Sequence, residues 1–284
     1  MLEWLSNYKV RWNLSVDGGE KVTNYLRPLR NPNSTAPTYF QKLKEIVPAL
    51  TYYFPQVYCK VIISRRLIKE FYNSWLELER IGFKKMFIIL DFTEREDENH
   101  DTTWTDEDFF ELQKQLNKVA EQLYIGMRRG IQRLQIIQFD ELLEGMLDPR
   151  PIGPYQLICE VLDDRTVASV FDEKSKKEPT KCYSGLGFVK KDFEKQLQED
   201  FDNANGKCVN DPDCPFFNAC ARRTCVRDNI SIRGNAWAPE WAFCKLERLC
   251  GNAAVYFLDL CNKYCPDSKE YQRYLRSLLK EGED

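Results

Sequence analysis

The sequence predicts an α/β fold: βα units building a parallel sheet over residues 1–150, followed by a cysteine-rich module over residues 151–284. Three observations carry that expectation. Strand-like and helix-like segments alternate from residue 11 to about residue 126. The proline- and glycine-rich stretch Asp148-Pro-Arg-Pro-Ile-Gly-Pro then breaks the alternation and marks a boundary. Beyond it, eight of the eleven cysteines fall between Cys208 and Cys265.

Each element has a local reason. Arg11–Val16 reads as a short strand because it stops at the turn residues Asp17-Gly18-Gly19. Residues 39–53 carry apolar side chains at Phe40, Leu43, Ile46, Val47 and Leu50, a helical spacing with Pro48 as a potential kink. Tyr58–Ser64 reads as a strand, Leu67–Ile81 as an amphipathic helix, and Lys85–Phe92 as a buried strand. Thr105 followed by Asp106, Glu107 and Asp108 is an N-cap with an acidic first turn, and its helix is expected to run to about Gly126. Three such units cannot close a barrel, so either the sheet is small and open or strands upstream of it are missing. Residues 155–171 suggest a hairpin turning at Asp163-Asp164-Arg165, and Trp241 to about Leu279 reads as mostly helical.

Bulk properties exclude several function classes. The formal charge of −3 supplies no basic face for nucleic acid. No apolar run approaches the roughly 20 residues that span a bilayer, and Met1-Leu-Glu-Trp-Leu-Ser lacks the pattern of a secretory signal, so a cytoplasmic location is expected. Eleven cysteines cannot all pair internally, and a reducing compartment disfavours disulfides. One histidine, His100, excludes histidine-rich zinc sites, so any metal centre must be mostly thiolate.

Five residues separate Cys208 from Cys214, five more precede Cys220 and four precede Cys225; Cys244 follows after a gap. Four thiols within so short a loop-like stretch point to a metal centre, and Asn210-Asp211-Pro212-Asp213 supplies a turn between the first two. An iron–sulfur cluster and a structural zinc ion both fit this donor set.

The stretch Asn13-Leu-Ser-Val-Asp-Gly and the following Asn24-Tyr-Leu-Arg-Pro resemble the fourth barrel strand and its loop in radical SAM maturases with a SPASM domain, the peptide-modifying branch of that superfamily. The tail, Cys214, Cys220, Cys225 and Pro239-Glu-Trp-Ala-Phe-Cys244-Lys-Leu-Glu, is similar to the closing cysteines of that domain. The resemblance implies the C-terminal portion of such an enzyme: an incomplete TIM-type barrel followed by a SPASM-like domain. It maps Cys208, Cys214, Cys220 and Cys244 onto ligands of an auxiliary [4Fe-4S] cluster, and Cys225 onto a ligand of a second. Ser15 and Arg27 map onto residues contacting S-adenosylmethionine.

Departures shape the expected function. Spacings of five and four replace the family's CxxC and Cx3C. Thr166–Phe171 lacks the usual Pro-Cys, so the second cluster is expected to be lost or remodelled, with Cys159 and Cys182 nearby but out of pattern. The CxxxCxxC motif that holds the SAM-cleaving cluster occurs nowhere in the sequence. The expectation is a cluster-binding part of a peptide- or protein-modifying enzyme, inactive in radical generation by itself; a truncated reading frame, a split gene with a separate chain supplying the missing half, and a decayed remnant all fit this sequence. The alternative is a non-catalytic zinc- or cluster-binding interaction module.

Among the remaining residues, His100 within the acidic stretch 94–101 reads as a solvated loop. Asp91 and Asp17 end strands at the edge where barrel active sites form. Cys250, Cys261 and Cys265 share a helical face and read as core packing, as does Cys59 in its strand. Tyr52, Tyr53 and Phe54 read as helix-end packing.

Overall fold

The computed structural model describes residues 2–8, 12–28, 35, 37–91, 104–147, 160–161, 167–168, 211, 213–217, 219–220 and 241–279. Two compact units emerge: Met1–Leu147 together with Lys245–Asp284, and Asp148–Cys244.

In the first unit, α1 (Leu2–Ser6) leads to β1 (Asn13–Ser15), α2 (Glu20–Leu26) and α3 (Tyr39–Tyr53). Next come β2 (Tyr58–Ile63), a 3-10 segment (Arg65–Glu70), α4 (Phe71–Arg80) and β3 (Lys85–Leu90). The long α5 (Asp106–Arg129) precedes β4 (Gln135–Ile136) and α6 (Ile137–Leu147). The four strands form one parallel sheet in the order β1-β2-β3-β4, each beside the next in sequence. Helical crossovers are what parallel neighbours require, and the alternation seen in the sequence supplies them.

Burial follows a period of two along β2 and β3. Cys59, Val61 and Ile63 with Met86, Ile88 and Leu90 are buried, whereas Tyr58, Lys60 and Ile62 with Lys85, Phe87 and Ile89 are half-buried. The helices bury complementary stripes: Phe40, Leu43, Val47 and Leu50 on α3, and Trp75 and Leu78 on α4. Leu112, Leu116, Val119 and Leu123 do the same on α5. A stripe of that width is what places a helix against a sheet.

The helix expected over Leu67–Ile81 begins instead as the 3-10 segment. Its tighter turn puts residues three apart on one side, so Ile68 and Phe71 are both buried before the α-helical spacing to Trp75 and Leu78 takes over. Helix α5 passes Gly126 and ends at Gly130, which adopts a left-handed C-cap at φ 68°. Gly126 is a close-approach residue: a Cβ there would lie 2.4 Å from Arg133 Cγ and 2.7 Å from the Ile131 carbonyl. Tyr52, expected to pack at the end of α3, is 79% exposed, whereas Phe54 is buried. The helix itself runs through Pro48 without interruption.

Strand β4 and helix α6 give no separate signal in the sequence. With two residues, β4 pairs only with Lys85 and Met86 of β3. Gln138 takes over where it stops: its side chain accepts from Ile88 N–H (3.3 Å) and donates to Ile88 C=O (2.6 Å). A buried glutamine thus continues the ladder. Gln138→Leu orphans both backbone groups and is expected to cost about 1–3 kcal/mol, read as a lower urea midpoint with an unchanged m-value.

The C-terminal helices α7 (Trp241–Tyr264) and α8 (Lys269–Leu278) supply the rest of this unit from Lys245 onward. Gln113 of α5 donates to Leu249 C=O (3.3 Å), Tyr256 donates to Glu121 (3.2 Å), and Ser268 donates to Met127 C=O (2.7 Å). Cys250 and Cys261 lie wholly buried beside Ala253, Ala254 and Phe257, and Cys265 is buried as well. Burial raises the thiol pKa of Cys261, with Cys265 adding to the effect, and burial does the same for Cys59.

Tyr274 of α8 donates a 2.8 Å hydrogen bond to Asp140 of α6. Asp140 is partly buried with its carboxylate turned inward, and burial raises its pKa from 3.8 to about 6, against the hydrogen bond from Tyr274. The folded state therefore holds this proton more tightly than the unfolded state. Stability is expected to fall as pH rises from about 4 through 6, because the ionised carboxylate is then forced into the interior. Asp140→Asn keeps an acceptor for Tyr274 without the charge. At pH 7.5 it should gain on the order of 1–3 kcal/mol, and thermal unfolding across pH 4–8 should lose this component.

In the second unit, β5 (Glu160–Val161) pairs antiparallel with β6 (Val167–Ala168), Glu160 opposite Ala168 and Val161 opposite Val167. The antiparallel pairing is the one the expected hairpin requires, and its expected turn at Asp163-Asp164-Arg165 lies outside the described residues. Among the described residues no helix is long and apolar enough to cross a membrane.

Candidate functional site

Residues flagged in the sequence gather at the carboxyl edge of β1. Leaving the strand, the chain places Ser15 exposed and Val16, Asp17, Gly18 and Gly19 buried. Gly18 has φ 155°, and a Cβ there would meet Ser74 Oγ at 2.8 Å and Val22 Cβ at 2.9 Å. At Gly19 a Cβ would meet the Glu77 carboxylate at 2.6 Å. Two glycines are needed because the turn presses against α4. The contact also caps α2: no side chain of α2's own N-cap serves, and Glu77 of α4 accepts from Glu20 N–H at 2.6 Å. A carboxylate at that position also complements the helix dipole.

Asp17 holds Arg27. Arg27 Nε lies 2.5 Å from Asp17 Oδ2 and Nη2 lies 3.3 Å from Oδ1, a two-pronged pair in which Asp17 is only 7% exposed. The Asp17 hydrogen bond is the main cause raising the Arg27 pKa above its ordinary value, so the guanidinium is a fixed cation. Arg27 also lies 5.3 Å from the centre of the Tyr39 ring, and the Tyr39 hydroxyl donates to the Ser15 carbonyl at 2.9 Å. Ser15, Asp17, Arg27 and Tyr39 thus form one connected set. Position and resemblance pointed to the first three. Tyr39 was missed, because its contacts close a loop of 24 residues that no local pattern reports.

Across the sheet, Ser15 pairs in register with Lys60, and Lys60 with Phe87. Asp91 directly follows β3, its N–H donating to Ile63 C=O (3.0 Å) and its carbonyl accepting from Trp104 Nε1 (3.0 Å). A set of polar groups at strand ends, with a locked guanidinium, can hold a polar or anionic ligand at this edge.

The described cysteines of the second unit are Cys214, Cys220 and Cys244, the first two partly buried and the last buried. Asp211 builds the turn expected before Cys214: its carbonyl accepts from Cys214 N–H (3.1 Å), and its carboxylate accepts from Asp213 N–H (3.1 Å). Phe217 N–H to Cys214 C=O (3.2 Å) and Cys220 N–H to Phe217 C=O (3.4 Å) carry the chain onward in successive turns. Cys244 sits in the first turns of α7. Among the described residues no three His, Cys, Asp or Glu side chains converge on a metal position. Cys208 and Cys225 lie outside the described residues, as do Cys159, Cys182 and His100 with its acidic stretch. The donor chemistry of the described set, three thiols on short turns and a helix start, suits a cluster or zinc.

No protein-family profile matches the sequence, and no curated protein matches it either. Solved structures do. Hexahistidine-tagged anSMEcpe with bound AdoMet superposes with a TM-score of 0.52 at 16% identity, covering 99% of this chain and 69% of that one. Native anSMEcpe with bound AdoMet and the Cp18Cys peptide gives 0.51 at 16%, covering 98% and 72%. The form with the Kp18Cys peptide gives 0.51 at 15%, again covering 98% and 72%. These neighbours are an anaerobic sulfatase-maturating radical SAM enzyme with a SPASM domain. At such identity the likeness speaks to architecture: this chain shares the α/β fold, with its parallel four-stranded sheet, of structures of a radical SAM enzyme.

Proposed function

We propose that this chain is the cluster-binding and AdoMet-contacting part of a radical SAM enzyme that modifies a peptide or protein. The observation that carries this reading is the fold likeness to AdoMet-bound anSMEcpe along 98–99% of the chain. The sequential parallel strand order supports an incomplete TIM-type barrel over residues 1–150, because each strand of such a barrel lies beside the next. Residues 151–284 form the SPASM-like domain on this reading, although its helices from Lys245 onward belong to the first compact unit. The peptides bound by the neighbouring structures favour a peptide or protein substrate.

Ser15 and Arg27 are assigned to AdoMet, with Asp17 holding the guanidinium and Tyr39 holding the strand end. Cys208, Cys214, Cys220 and Cys244 are assigned to one auxiliary [4Fe-4S] cluster and Cys225 to a remodelled second site. A bound cluster supplies electron transfer. This chain's residues fix where the cluster and peptide sit. The sequence contains no CxxxCxxC motif, so radical generation requires a polypeptide that supplies one.

Purification without oxygen, followed by iron, acid-labile sulfide and zinc analysis, tests the assignment. About four irons and four sulfides per chain are expected. Stoichiometric zinc without sulfide would overturn the cluster and leave a structural zinc module.

A further inference from the structure

The amino-terminal edge of the sheet carries a feature unrelated to Ser15, Asp17 or the cysteines. A cavity of about 470 Å³ opens there between the end of α3 and the starts of β2, β3 and β4. Its polar walls include Gln56, Lys84, Lys85, Gln132 and Gln135, and Tyr52 flanks them. Among the described lining residues there is no aspartate or glutamate. Two lysines without an acid is a local excess of positive charge in a chain whose formal charge is −3. Neither lysine forms an ion pair with a described residue. The carboxylate of Asp140 senses the charge of Lys85 without pairing to it.

Chemistry narrows the occupant. Two ammonium groups act as point charges for a phosphate or carboxylate, and three carboxamides add directional donors. The Tyr52 ring, 79% exposed and steadied edge-on by Tyr53 at 5.1 Å, offers a face on which a flat ring can stack. The volume falls within the roughly 300–1,000 Å³ of small-molecule sites. We propose that this cavity binds a small organic anion that joins a phosphate or carboxylate to a planar ring. The site lies at the opposite end of the sheet from the AdoMet assignment and does not depend on it.

Calorimetric titration of the full chain with metal-free ADP, isophthalate and pyrophosphate tests the site. ADP or isophthalate should bind. Lys84→Gln/Lys85→Gln should weaken that binding about tenfold or more, and Tyr52→Ala should weaken it several-fold. Pyrophosphate, which lacks a ring, should bind less tightly than ADP. Binding of ADP alone assigns a phosphate ligand, and binding of isophthalate alone assigns a carboxylate. Should the double variant misfold by circular dichroism, Lys84→Gln alone carries the test, because Lys84 is exposed. Failure of both ring compounds to bind at millimolar concentration would overturn the proposal. So would affinity unchanged in the lysine variants, which would place the ligand elsewhere.

Discussion

Arg27→Ala is expected to cost about 3 kcal/mol of stability, near the low end for breaking a buried ion pair. The asymmetry of the pair sets that figure. Asp17 is 7% exposed and Arg27 39%, so removing the arginine leaves the more buried carboxylate without its partner, whereas the guanidinium stays partly in solvent. Asp17→Asn leaves a neutral amide beside a guanidinium that can turn toward solvent, and should cost less than Arg27→Ala. Urea unfolding of the two variants checks that order. Arg27→Lys separates stability from ligand binding. A lysine restores the charge opposite Asp17 but not the planar fork, so stability should recover by more than half. If Arg27 contacts AdoMet, affinity for AdoMet should stay low in that variant once the missing cluster motif is supplied in trans. Affinity recovering in step with stability would remove Arg27 from the ligand and leave it as a strut for the β1 turn.

The fold was legible where local chemistry and burial agree. Thr105 caps α5 as its position suggests, and Asp108 of the acidic first turn makes the cap reciprocal, Asp108 N–H donating to Thr105 Oγ1 (3.3 Å) and Thr105 N–H to the Asp108 carboxylate (2.9 Å). Phe40, Leu43, Val47 and Leu50 predicted both the helix and its buried face, whereas Ile46, read as part of the same stripe, is 49% exposed. What failed to show was set by partners distant in sequence. Strand β4 exists because Lys85 and Met86 pair with it and Gln138 extends the ladder, 50 residues from Ile88. Gly126 looked like a helix end because a glycine that ends a helix and a glycine that admits a neighbour are the same letter. Only Arg133, packed against it, tells them apart.

The candidate site divides in the same way. Asp17 could be flagged because a polar residue followed by two glycines at a strand end is a local pattern. Glu77, which caps α2 across 57 residues, and Tyr39 could not, since both act through tertiary contact alone. The thiols show a further distinction. Cys250 and Cys261 repeat on a helix beside Ala254 and Phe257 and are wholly buried, which is how packing cysteines behave. Cys214 and Cys220 sit on turns and are only partly buried, where a metal ion can reach them. Periodicity separates these two populations, and it does so before any contact is known.

That separation yields the last expectation. Replacing Cys214, Cys220 or Cys244 singly with alanine should lower the iron content of the anaerobically purified chain, since each change leaves one iron of a four-thiolate cluster without its protein ligand. Cys250→Ala and Cys261→Ala should leave iron content unchanged and lower stability by about 1 kcal/mol, the cost of a small buried void. The contrast is informative because all five changes delete the same atom. A general loss of folding would lower iron in proportion to stability across both groups. Cluster ligation would instead split the groups by metal content, with Cys244 as the sharpest case. Cys244 is buried like the packing thiols and lies on the same helix as Cys250, yet the resemblance assigns it to the proposed ligand set. Iron lost in Cys244→Ala but kept in Cys250→Ala would therefore fix its role by chemistry rather than by position. Iron kept in both would take Cys244 out of the ligand set and leave a cluster without its fourth thiolate.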